Sequence, residues 1–98
     1  MTFSYMTKLL AKMIVQDRAS ILEHRTIKGD ADLTAYDEEC VELYSNQLRH
    51  LFMNSDGRKW DYVLREIKKI AGMDVRIGFR AQDKIIETCA TYGFHFAL

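Results

Sequence analysis

The sequence predicts a mostly helical α+β fold, a three-helix core followed by a short strand–helix–strand unit, in one compact domain spanning 1–98. Three observations predict it. Apolar residues recur at helical spacing over three long stretches, and the period switches to two at Val75–Phe79 and again at Phe94–Leu98. With no proline in the chain, the junctions are marked by glycines and cap residues.

Residues 4–26 read as the first helix. Met6, Leu9, Leu10, Met13, Ile14 and Ile21 fall on one arc, with Lys8, Lys12 and Glu23 opposite. Asp17 interrupts that arc, and Ser20 with Glu23 has the spacing of a capping box, so the helix either continues or breaks near Asp17 and restarts. After the polar loop at Gly29–Asp32, Thr34 and Asp37 read as an N-cap and an acidic N3 residue that open a second helix running to about Met53. Its apolar arc is wide, from Tyr36, Cys40 and Val41 through Leu43, Tyr44 and Leu48 to Leu51 and Phe52. That width predicts a central helix packed on two sides.

Asn54–Gly57 reads as a turn and a cap. From there to Ala71 a third helix carries Trp60, Val63, Leu64, Ile67, Ile70 and Ala71 on one side, and Gly72 is placed to end it. Val75, Ile77 and Phe79 alternate with Arg76, Gly78 and Arg80, as a half-buried strand does. Residues 81–91 return to helix with Ile85, Ile86 and Cys89 inward. Gly93 stops it, and Phe94, Phe96 and Leu98 form a second short strand. The two strands are expected to pair within the chain or across a dimer, leaving a monomer or a homodimer. Truncation at Leu48, Leu51, Trp60, Leu64 or Ile67 is expected to cost most.

Composition excludes several classes. Hydrophobic content of 48% and charge of 29% are those of an ordinary soluble globular domain. The apolar runs are too short for a membrane span or a signal peptide, which points to the cytoplasm. Cys40 and Cys89 fall on apolar helix faces and read as small buried hydrophobes. No metal or cofactor is expected: His24, His50 and His95 are scattered singly, and no glycine-rich loop is followed by Lys and Ser or Thr.

What distinguishes the chain is the sorting of its charge. It carries fourteen basic and fourteen acidic residues, yet residues 29–48 hold six acids and no base. Residues 1–28 carry five bases against two acids, and residues 49–84 nine against five. Glu38, Glu39 and Glu42 on the second helix form a candidate acidic docking face. Glu38 and Glu42 repel at four-residue spacing, and the base within sequence range is Arg49. The competing explanation is that this helix neutralises the basic faces of its neighbours.

Arg58, Lys59, Tyr62, Arg65 and Lys69 form a candidate basic face on the third helix, suited to an acidic protein or to nucleic acid. Arg58 and Lys59 lie at the N-terminus of this helix, where positive charge opposes the dipole. A plainly solvated face, with Asp56 and Asp61 offsetting the first turn, also accounts for the pattern. Asp17 and His24 share the apolar stripe of the first helix and would be the acid–base pair of a small enzyme, but no nucleophile is placed beside them.

The connections at Gly29–Ala35 and Asn54–Gly57 do not fit a helix-turn-helix domain. In general character a short, motif-free chain with segregated charge is similar to small regulators and inhibitors, including phage-encoded ones that block host machinery. The expectation is therefore a non-enzymatic protein-interaction module that regulates or inhibits a macromolecular partner by occluding it. The alternative is nucleic-acid binding through the basic face.

Overall fold

The computed structural model describes residues 2–55, 57–73 and 82–97. It holds α1 (Thr2–Leu22), a single 3-10 turn at Asp30–Asp32, α2 (Ala35–Met53), α3 (Trp60–Ile70) and α4 (Gln82–Thr91). The molecule measures 35 × 32 × 19 Å between Cα atoms along its principal axes.

Helix α1 packs against both α2 and α4, and α2 also meets α3. The α1–α2 pair is antiparallel: Thr7 lies against Ser45 and Lys8 against Glu42, while Arg25, past the end of α1, reaches Asp37 at the start of α2. Small residues permit the close approach. Thr7 and Ala11 are fully buried, and the Thr7 hydroxyl donates to the Ser4 carbonyl (3.0 Å) while accepting from Ser45 Oγ (3.3 Å). Met6, Leu10, Ile14 and Val15 complete a buried surface that wraps more than half of α1. The expected role of α2 as central helix is therefore shared with α1, and Tyr36 and Leu43, expected on the apolar arc of α2, are exposed.

Helix α1 runs unbroken through Asp17, which is buried, so the Ser20–Glu23 spacing opens no second helix. The chain leaves α1 through His24, whose positive φ of 54° follows the last turn, and Arg25 N–H closes on the Ala19 carbonyl (2.9 Å). At α2 the capping box forms as expected: Thr34 Oγ1 accepts from Asp37 N–H (3.1 Å), and Asp37 Oδ2 accepts from Thr34 N–H (2.9 Å). Gly72 (φ 71°) and Gly93 (φ 87°) end α3 and α4 in the left-handed conformation that glycine adopts without strain. The amides of Met73 and Phe94 then bond back to the carbonyls of Lys68 and Cys89.

The strand–helix–strand unit is not formed. Among the described residues there is no strand; Val75–Phe79 lies outside them, and Phe94–Ala97 makes a single parallel bridge, Ala97 with Lys59. The alternation of Phe94 and Phe96 has a different cause from sheet pairing. Their rings pack on Phe52 at centroid distances of 5.9 and 5.8 Å, and Phe96 also meets Trp60 at 5.7 Å. An apolar segment laid over a helical core needs the same period-two pattern as a strand. Its backbone serves α3 instead: Trp60 N–H donates to the Ala97 carbonyl (2.7 Å) and Ala97 N–H to the Arg58 carbonyl (3.1 Å). A carbonyl from the far end of the chain thus satisfies one of the free amides at the start of α3, where no side chain caps the helix. The helix begins at Trp60 rather than at Gly57 for that reason.

Leu48 and Ile67 are fully buried and Trp60 is 5% exposed, whereas Leu51 and Leu64 are partly exposed. Leu48→Ala and Ile67→Ala should each cost about 2–5 kcal/mol in urea unfolding, and Leu51→Ala and Leu64→Ala distinctly less. His24→Gly should stabilise by about 1 kcal/mol, because glycine removes the left-handed penalty at that position.

Candidate functional site

Helix pairing disposes of much of the acidic charge. Lys8 Nζ lies 3.6 Å from Glu42, Lys12 Nζ 3.2 Å from Asp30, and Arg25 2.8 Å from Asp37. Lys8 and Lys12 also line, with Asp30, Glu38 and Glu42, a shallow cavity of about 350 Å³ between α1 and α2. Relief of the Glu38–Glu42 repulsion thus comes from α1 and not from Arg49, whose guanidinium bonds Asn46. Glu38 and Glu39 remain exposed without an ion pair among the described residues. Glu39 lies between Tyr36 and Leu43, which are 59% and 53% exposed, on the outer strip of α2.

The basic face of α3 is disposed differently. Arg58, Lys59 and Arg65 are exposed and form no ion pair among the described residues, while Lys69 is held by Glu66 at 2.9 Å. Arg58 stacks over the half-buried Tyr62 ring, 4.9 Å from its centroid. Lys68, at the edge of the predicted stripe, is buried. The structure therefore brings Arg58 and Tyr62 together, with Lys59 and Arg65 exposed on either side in the chain.

Next to Arg58 and Lys59 is a feature that the sequence pattern did not show. Trp60, Ile86, Ala90, Phe94, His95 and Phe96 enclose an apolar pocket of about 180 Å³. It assembles where the start of α3, the outer half of α4 and the C-terminal segment meet, three parts whose proximity no local periodicity reveals. The indole N–H of Trp60 is buried with no hydrogen-bond acceptor. Buried donors are rarely left in that state.

The remaining candidates carry less. Asp17 is buried within α1 and His24 is exposed beyond its end. Cys40 and Cys89 are buried free thiols, and burial pushes Cys89 up to about 12, far from the thiolate range needed for attack at neutral pH. Among the described residues, no group of three or more His, Cys, Asp or Glu side chains is placed to hold a metal ion, and no helix is long and apolar enough to cross a membrane.

The fold and surface together define a small all-helical domain with exposed cations at and along α3 and an apolar pocket that Trp60 helps to line. Comparison of the chain with known protein families, curated proteins and solved structures finds no match in any of the three.

An ion network ties α1, the start of α2 and the end of α3. Arg18 donates to the Ala71 carbonyl (3.0 Å) and to Glu23 (2.9 Å), and Arg25 bridges Glu23 and Asp37. Burial pushes the Asp37 carboxyl up, but hydrogen bonds from Arg25 and Thr34 outweigh it and leave the pKa below its ordinary 3.8. Asp37 thus contributes stability in full above about 3.8, lost as pH falls through the lower folded-state value. In urea unfolding from pH 7 to pH 2.5, Asp37→Asn should be less stable than the parent at neutral pH, with the gap narrowing as acid protonates the parent's carboxyl.

Proposed function

We propose that this chain is a small protein-interaction module, a regulator or inhibitor that occludes an acidic surface of its partner with the basic face of α3. The observation that carries the reading is the asymmetry left after folding. Glu42, Asp30 and Asp37 are engaged by bases of α1 and the loop after it, while Arg58, Lys59 and Arg65 form no ion pair among the described residues, and Trp60, next in the chain after Lys59, lines an apolar pocket. A charged rim around an apolar centre is the usual anatomy of a docking surface, the charges governing encounter and the apolar centre supplying affinity. The free cations replace the acidic strip of α2 as the favoured side. The two buried free thiols are in keeping with a cytoplasmic protein, and the likeness to phage-type inhibitors remains one of general character.

Nucleic-acid binding is the second reading, favoured by the Arg58–Tyr62 stack within a cationic face. Against it, the Tyr62 face is already covered by Arg58, and the formal net charge is zero. Pull-down with the tagged chain, with and without nuclease, separates the readings when the charge variants are run in parallel. A protein should be retained after nuclease treatment and lost with Arg58→Glu/Arg65→Glu, while Glu38→Lys/Glu42→Lys leaves retention within about twofold. Loss of all retained material on nuclease treatment, or retention indifferent to the α3 reversal, would overturn the proposal.

A further inference from the structure

Resting on the reading of α3 as a docking face, we infer that the pocket takes one apolar side chain of an extended, acidic segment of the partner protein, which lies alongside residues 95–96. Three observations meet here. The first is size: whole small-molecule ligands usually need about 300–1,000 Å³, and a pocket of about 180 Å³ suits a single Leu- or Phe-sized group.

The second is the state of the adjoining backbone. Ala97 spends its N–H and C=O on Arg58 and Trp60, whereas those of His95 and Phe96 form no hydrogen bond among the described residues. In an extended chain, neighbouring residues present these groups to opposite edges, so the edge carrying the Phe96 pair is open for a strand-like partner. The third is charge. Lys59, exposed and without an ion pair among the described residues, is bridged to Ala97 next to the pocket residue Phe96 and favours acidic flanks.

These features act as one device. The open edge fixes the direction of the segment, the pocket selects one side chain, and Lys59 discriminates against basic sequences. Helix α4 takes part through Ile86 and the exposed Ala90, which gives a handle for blocking the pocket without disturbing the core.

The test is a titration of the intact, isotopically labelled chain with a blocked octapeptide alternating Val with Asp or Glu around one central Phe. Trp60 is the one tryptophan of the chain, so its indole N–H gives a single signal. The inference expects saturable shifts of that signal and of the Phe96 amide. Replacing the peptide's Phe by Ser, or the protein's Ala90 by Leu, should each weaken binding by about tenfold. Helical circular dichroism of Ala90→Leu should match the parent.

Binding that depends on Arg65 yet leaves the Trp60 and Phe96 signals unmoved and is indifferent to Ala90→Leu would overturn this inference and leave the docking face standing. Equal affinity for a Lys-substituted peptide, with the pocket signals still moving, would overturn the acidic partner and with it the docking-face reading. Shifts of the same signals on raising protein concentration without peptide would give the pocket to a second copy of the chain and overturn the inference.

Discussion

The antiparallel contact of α1 with α2 is the constraint on which the rest of the molecule depends. It is made by small residues: Thr7 and Ala11 on one helix and Ser45 on the other let the backbones approach, and the Thr7–Ser45 hydroxyl pair keeps buried polar atoms satisfied. This register also sets Lys8 against Glu42 and Lys12 against Asp30. Exposed pairs of this kind contribute little to stability. Their consequence is a change in the surface, because folding pairs Asp30, Asp37 and Glu42 while Arg58, Lys59 and Arg65 form no ion pair among the described residues.

The second organising element is the C-terminal segment. Three aromatic contacts hold it on Phe52 and Trp60, and its Ala97 carbonyl supplies the amide partner that α3 cannot find locally. One segment therefore caps a helix, completes a core and forms a wall of the pocket. Phe96 carries much of this, since it touches both Phe52 and Trp60 and borders the open edge.

Local rules made much of this legible in the sequence. The Thr34–Asp37 box, the glycine stops at Gly72 and Gly93 and the buried face of Trp60, Val63 and Ile67 each follow from chemistry within a few residues of the site. The failures are all nonlocal. Phe94 and Phe96 alternate as a strand would, because docking on a helical core and pairing in a sheet demand the same spacing. The cap of α3 comes from Ala97, so the start of that helix was placed too early. The wide apolar arc of α2 matches its packing against both α1 and α3, but Thr7 and Ala11 gave no sign that α1 shares the central role. The charged residues of the candidate site were visible as types, while their pairing was not: Glu42 looked free until α1 brought Lys8 to it. The pocket had no local signature at all.

The functional account rests on internal neutralisation of the acidic helix, and zero-length carbodiimide cross-linking reads that directly. The reagent joins a lysine amine to a carboxylate in ion-pair contact, and peptide mapping locates the bond. The account predicts Lys8–Glu42 and Lys12–Asp30 links within the monomer, with Lys59 unlinked. Links from Glu38, Glu39 or Glu42 to Lys59 or Lys69 would contradict it, because the acidic strip would then be neutralising the very face assigned to the partner.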